Sequence, residues 1–404
     1  MNVLLIHQAF ASPNEPGGTR HYELARHIAE SGYRFTIVAS DLSYLTGNKI
    51  SGSKKLIETE MLGGIRLLRA YTYPSLHRSF VWRILSFVSF MVTSVLAAIR
   101  NGSVDVVMGT SPPIFQAVSA WIVSCIQQKP FLLEIRDLWP EFAIDMGVLT
   151  QPVLITASRR LERFLYRMAD HILVNSPAYR EYLIDKGIQK EKISLISNGV
   201  DVKMFDPTAR GGVLRRQWRV ENKFVVTYAG ALGLANDIPT ILRAAERLKD
   251  QQNIHFLLVG DGKEKANLEK MADRMELSNV TFTGSQPKSL MPEVLAASDA
   301  CLATLQNISM FGTTYPNKVF DYMAAGRPTV LGINGVIRDV IEAACGGVFV
   351  PPGNDRLLAD AVMMLAENPE KARKMGQCAR EYVAVHFDRH EQAESFRRLL
   401  MHLK

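Results

Sequence analysis

The chain has 404 residues, 47% of them hydrophobic and 22% charged, with a formal net charge of +7. That length is too great for one ordinary core and fits two domains of roughly 200 residues each, with the composition of a soluble globular protein. Its four cysteines (Cys125, Cys301, Cys345 and Cys378) are widely spaced and accompany no clustered histidines, which excludes a disulfide frame or a zinc site and fits reduced thiols in a cytoplasm.

The first residues, Met1 to Ile6, already read as a strand. They lack the basic start, long apolar run and small-residue cleavage site of a signal peptide, so none is expected. Strand candidates in the first half are Val3–His7, Phe35–Ala39, Val104–Gly109, Phe131–Ile135, His171–Asn175 and Ile193–Ser197, with a helix over Thr19–Glu30. Between the first strand and that helix stands ASPNEPGGTR, Ala11 to Arg20. Gly17 and Gly18 can bring backbone amides close to a ligand beside a helix N-terminus, or can simply make a strand–helix turn.

Residues 51–100 carry Lys54, Lys55, Arg66, Arg69, Arg78, Arg83 and Arg100 against Glu58 and Glu60. Such an excess attracts nucleic acid, anionic lipid or phosphorylated substrates. No zinc-finger or base-stacking motif accompanies it, so nucleic acid is the weakest of the three and is not expected as a partner. Ile84 to Ile99 is an uncharged run of sixteen residues, short of the roughly 20 needed to span a bilayer. Ser86, Ser89 and Thr93 share one face of it. The expectation is a helix over residues about 76–100 that covers the first sheet and docks on an anionic membrane surface.

Where the Phe131–Ile135 run ends, Arg136 and Asp137 emerge in EIRDLWPE. They can orient a hydroxyl or line a sugar site, or form a solvated ion pair, while Trp139 either stacks on a sugar or packs. Polar Val200–Gln217 separates the halves, after which strands recur at Phe224–Ala229, His255–Val259, Val280–Thr283, Ala300–Ala303, Thr329–Gly332 and Val348–Val350. Helices fit at Ile238–Lys249, Glu264–Met275 and Arg356–Glu367, and Pro369–Lys404 is helical to the end. Alternation of this kind signals parallel α/β sheets, whose ligands bind beyond the C-terminal strand ends. Gly230, Gly260-Asp261-Gly262 and Gly284-Ser285-Gln286-Pro287 stand at three successive strand ends and favour a ligand crevice. The spacings match neither a P-loop nor a dinucleotide fingerprint. In FGTTYPNKVFD, Pro316 suits a helix start, and Lys318 then falls in the first turn, where a cation meets the positive end of the helix dipole. A lysine there is reasonable when an anion shares the site. Asp321 follows on nearly the same face.

With Gly17-Gly18, Ile196-Ser197-Asn198-Gly199-Val200-Asp201, Tyr228-Ala229-Gly230, Leu258-Val259-Gly260-Asp261-Gly262, PNKVFDYMAAGRP (Pro316 to Pro328) and Val350-Pro351-Pro352-Gly353 in order, the whole chain resembles family 4 of the retaining glycosyltransferases. RDLWP together with PNKVFDYMAAG is similar to the branch that builds O-antigens and capsules, including N-acetyl-fucosaminyl transferases. The resemblance implies a GT-B fold: an acceptor-binding Rossmann-like domain (1–200) facing, across a cleft, a nucleotide-sugar-binding one (201–385), with residues 386–404 crossing back to the first. It implies no metal and no cofactor. The donor would be a nucleotide-diphosphate sugar, expected to be a UDP-sugar, and the acceptor a polyprenyl-diphosphate-linked saccharide at the inner face of the cytoplasmic membrane. Gly284, Ser285 and Gln286 would face the base, Asp321 the ribose, and Thr313, Thr314, Tyr315, Asn317 and Lys318 the diphosphate. Gly230, Gly260 and Gly262 would line the same crevice, with Gly17 and Gly18 opposite. Asp137 and Arg136 would orient sugar and acceptor, and Lys318 would meet the charge on the leaving group.

Three departures from the family pattern stand out. An arginine after the glycine and a lysine five residues later are replaced by Ala231 and Asn236, a glutamate pair by Thr313 and Asp321, and a histidine by Arg136. A binding subunit without turnover and a sugar-nucleotide epimerase are the competing readings. Donor turnover separates the first of these, and acceptor-free isomerisation the second.

Overall fold

The computed structural model describes residues 1–43, 47–50, 55–74 and 80–404. Lys54, Arg78 and the side chain of Arg83, counted above in the basic excess, lie outside that description.

Two sheets form, one in each half. The first contains β1 (Asn2–Ile6), β2 (Arg34–Ser40), β3 (Ile57–Leu62), β4 (Ile65–Ala70), β5 (Val106–Ser111), β6 (Phe131–Ile135), β7 (His171–Val174) and β8 (Ile193–Leu195), in the order β3-β4-β2-β1-β5-β6-β7-β8. The second contains β9 (Phe224–Ala229), β10 (Ile254–Val259), β11 (Val280–Gly284), β12 (Ala300–Thr304), β13 (Thr329–Gly332) and β14 (Gly347–Phe349), in the order β11-β10-β9-β12-β13-β14. Central strands such as LLI in β1, VVM in β5 and FLL in β6 are apolar without alternation because helices cover both faces of a parallel sheet. Both units are doubly wound, Rossmann-like α/β structures.

The antiparallel pair β3–β4 is absent from the expectations above. Its register, Leu62 opposite Ile65, leaves Gly63-Gly64 as a two-residue turn, with φ of +57° and +83°. That conformation costs glycine little and other residues more. A glycine pair between alternating runs was the available signal.

Contacts divide the chain into a unit of Met1–Ser12, Thr19–Ser197 and His390–Lys404, and a unit of Pro13–Gly18 and Asn198–Arg389. The last helix (Arg389–Leu403) buries Ala393, Phe396 and Leu400 in the first unit's core beside Val3, Phe35 and Ile37.

The helix Phe80–Arg100 is inverted relative to an ordinary amphipathic helix. Its hydroxyl face is inside. The Ser89 hydroxyl accepts from the Tyr73 amide at 2.8 Å, Thr93 donates to the Tyr71 carbonyl at 2.7 Å, and Ser86 and Ser94 are buried. Leu85, Val88, Val92, Leu96 and Ile99 face out, with Val92 56% exposed. Beyond β4, the Tyr71 carbonyl and the Tyr73 amide find their partners in these helix hydroxyls. No described helix is long and apolar enough to cross a membrane.

Candidate functional site

In the second unit the loops after β9 and β10 lie against each other. The amides of Gly230 and Leu232 donate to the carbonyls of Val259 and Asp261, both at 2.9 Å. A Cβ on Gly260 would stand 1.8 Å from the Gly230 carbonyl oxygen, and one on Gly262 would stand 2.4 Å from that of Leu232. These two glycines are therefore explained by loop packing alone.

The helix Asn317–Ala324 begins immediately after Pro316, which occupies the capping position. From its first turn the Lys318 side chain runs to the β9 loop. Nζ donates to the Tyr228 hydroxyl at 2.7 Å and to Oδ1 of Asn236 at 3.2 Å, and it lies 4.0 Å from the centre of the Tyr228 ring. A Cβ on Gly230 would come within 2.7 Å of Nζ, so a side chain there would collide with the ammonium. Burial lowers the Lys318 pKa to about 7. Lys318 thus reaches the side chain of Asn236, one of the two positions named above as departing from the resembled pattern, from a different element.

Asp321 is held by Lys288, whose Nζ lies 2.5 Å from Oδ2. Lys288 directly follows the Gly284–Pro287 turn and was not among the expected site residues. Gly284 has a φ of +78°. The hydroxyls of Thr313 and Thr314 donate to the carbonyls of Met310 and Phe311 at 2.6 and 2.9 Å. The Tyr315 carbonyl accepts from Nδ2 of Asn198 at 2.7 Å. Asn317 has a buried Oδ1 without a hydrogen-bond partner, and a Cβ on Gly18 would lie 3.4 Å from its Nδ2. Gly17 and Gly18 belong to the second unit, where the Pro13–Gly18 segment is tied down by the amides of Ser289 and Lys288 donating to the carbonyls of Pro13 and Glu15.

In the first unit the strand ends hold a denser charge cluster. Glu134, fully buried in β6, accepts from Arg20 Nε at 3.1 Å and makes a short hydrogen bond with Nε2 of His21. Burial alone would raise the Glu134 pKa. His21, Arg20 and Arg136 outweigh it and hold the carboxyl well below the usual range. Arg20 also donates to the carbonyls of Ser197 and Ile196 at 2.6 and 2.7 Å. The His7 ring lies 4.5 Å from that of His21, and both of its nitrogens are buried without a partner. Burial, then Arg136 and His21, push its pKa well down. Arg136 donates to the Thr110 hydroxyl at 2.8 Å and the Pro112 carbonyl at 2.9 Å. Asp137 is half-buried and hydrogen-bonded to Tyr179. Burial raises its pKa to about 6 against the pull of Arg136.

Residues 17–199 match the model of the glycosyl transferase 4-like domain, and residues 213–382 match that of the glycosyl transferases group 1. The chain carries both glycosyltransferase domains. A putative colanic acid biosynthesis glycosyl transferase, WcaI of Escherichia coli K12, is 25% identical over 81% of this chain and 82% of its own. Among solved structures, sucrose-phosphate synthase from Thermosynechococcus elongatus shares the fold with a TM-score of 0.80 at 19% identity, over 100% of this chain and 98% of that one. Anabaena Alr3699/HepE, solved in complex with UDP and glucose, does so at 0.76 and 19% identity, over 99% of both chains. The fold is thus that of GT-B glycosyltransferases, two Rossmann-like α/β domains.

Within this glycosyltransferase, Arg136 and Asp137 belong to the first unit and Lys318 to the second. The residues that the sequence reading missed are Tyr228, Lys288, Arg20, His21 and Glu134. Glu134 lay inside a quoted motif but in an apolar strand, where its partners, over a hundred positions away, leave no local trace. The separated histidines gave no sign that folding would bring His7 and His21 together.

Proposed function

We propose that the chain is a retaining, metal-independent glycosyltransferase that moves a sugar from a nucleotide-diphosphate donor to a lipid-linked saccharide in surface polysaccharide synthesis. The observation that carries this reading is Lys318: a half-buried cation in the first turn of a helix, beside the glycine that follows β9, with neutral partners. Negative charge grows on the departing diphosphate as the anomeric C–O bond breaks. Lys318, the amides of the helix N-terminus and the adjacent glycine loop offer preorganised positive poles for it. Asp321 supports the ribose. Its carboxylate is shared with Lys288, so the turn after β11 and the ribose contact are one unit. Attack on the same face as the leaving group makes a strong protein base dispensable, because the phosphate can take the acceptor proton. Arg136 and Asp137 then have a positional role. A UDP-linked N-acetyl amino sugar, such as L-fucosamine, is the proposed donor, on the likeness of RDLWP and PNKVFDYMAAG.

The inverted helix Phe80–Arg100 supports the membrane part of the reading. Its outward stripe, Leu85 to Ile99, is apolar, and Arg66 and Arg100 are exposed near its C-terminal end. Docking would be peripheral, at the inner face of the cytoplasmic membrane.

Ligand-dependent thermal stabilisation across UDP, GDP and their sugar conjugates, followed by a transfer assay, tests the whole. A true donor at 100 times its dissociation constant adds about 2.7 kcal/mol. Stabilisation by no nucleotide, or binding with neither transfer nor donor hydrolysis, refutes the enzyme reading.

A further inference from the structure

Among the described residues, the Lys318 ammonium has no charge of opposite sign within hydrogen-bonding or ion-pair distance. From β9 it meets the Tyr228 hydroxyl at 2.7 Å and the face of its ring. It lies beside Gly230 in the following loop, where a Cβ would stand 2.7 Å from Nζ, and from the 3-10 turn Leu234–Asn236 it meets the Asn236 amide oxygen at 3.2 Å. On its own helix the nearby carboxylate, Asp321, is engaged by Lys288. Tyr228 adds no anion, because its own burial pushes its hydroxyl far above the usual range. The surrounding helix N-terminus carries a partial positive charge. An ammonium half-buried among neutral groups at a positive helix end is disfavoured relative to the neutral amine.

Resting on the donor-site reading above, we propose that Lys318 is largely neutral in the free chain above neutral pH and takes up a proton from solvent as a nucleoside diphosphate binds. The only bond made is N–H. The amine lone pair accepts a solvent proton, and the resulting ammonium faces the diphosphate oxygens. The burial-lowered pKa of about 7 in the free chain fits this scheme. Because the anion raises that value, affinity is constant below about pH 7 and falls as pH rises towards the bound-state value, about tenfold per unit between the two. Lysine, unlike arginine, can discharge, which suits a cation whose contacts are neutral oxygens and an aromatic face.

The test is calorimetry of UDP and of GDP binding to the full chain at about pH 8.5, each in two buffers of different ionisation enthalpy, to count protons. The expected result is uptake of about one proton per bound nucleotide. Lys318→Arg, whose charge is permanent, should bind with uptake near zero and an affinity flat with pH. If the larger head group does not fit, Lys318→Met should likewise bind without uptake, more weakly. Binding by the parent chain without proton uptake overturns the proposal. So does uptake that persists in both variants, which would place the proton on the nucleotide's terminal phosphate or another group. Failure of both nucleotides to bind the parent chain would instead refute the donor-site reading on which the proposal rests.

Discussion

Both units place cations beyond the ends of parallel strands, but they treat them in opposite ways. In the first, Arg20 meets the carboxylate of Glu134 and two backbone carbonyls, and Arg136 stands close enough to Glu134 and Asp137 to pull both carboxyls down. In the second, Lys318 is offered only neutral oxygens and an aromatic face. A buried charge with its counter-ion in the same unit is held in place by it, whereas one without an internal counter-ion is completed only by a ligand. This difference supports reading the Glu134 cluster as a brace and the proposed role of Lys318 as a binding pole.

The largest effect should come from breaking the brace. Glu134→Ala leaves Arg20 uncompensated in a buried setting and should cost about 3–5 kcal/mol of stability. Denaturant melts of the variant within 1 kcal/mol of the parent would show that the cluster is no brace. Next is Lys318→Ala, expected to lower kcat about 10²–10³-fold, the scale of losing one preorganised donor. An unchanged kcat in steady-state assays would move the pole elsewhere. Asp321→Ala should weaken UDP binding about tenfold with a smaller effect on kcat, since ribose contacts exist both before and during reaction. Equal affinities by calorimetry would refute it.

Smaller still is the reverse effect on stability. Lys318→Met should stabilise the ligand-free chain by about 1 kcal/mol. The sign follows from the lowered pKa. Between about 7 and 10.5 the unfolded chain binds more protons than the folded one, so the cost of burying Lys318 is fully present below about pH 7 and fades towards 10.5. A melting curve whose difference from the parent does not change with pH would contradict it. Chelation should have the least effect of all: transfer is expected to survive EDTA because Lys318 and the helix N-terminus serve the leaving group. Loss of transfer restored by one divalent metal would remove Lys318 from that role.

Much of the fold was legible because it is written in short-range pattern. Apolar runs bounded by glycine and polar turns marked β1, β2, β5 to β7 and β9 to β14 close to their observed bounds, since a strand buried on both faces needs continuous apolar sequence. The β3–β4 hairpin was missed because its exposed outer strand, IETEML, is too polar to stand out beside such runs. The reading of the helix Phe80–Arg100 found both of its faces, but which one turned inward depended on backbone groups of Tyr71 and Tyr73, from another segment.

Sequence alone marked Lys318 as an anomaly, because a cation in the first turn of a helix conflicts with the local dipole whatever surrounds it. The resemblance to family 4 also implied that a basic pair is replaced here by Ala231 and Asn236. Only the tertiary structure decided that these two facts belong together, by bringing Nζ of Lys318 to the side chain of Asn236 across eighty-two positions of sequence. It alone also decided that Asp321 is shared with Lys288 and that Glu134 answers Arg20 and His21. Local pattern fixes where charge sits along the chain, but whether that charge is compensated depends on residues that only folding makes neighbours.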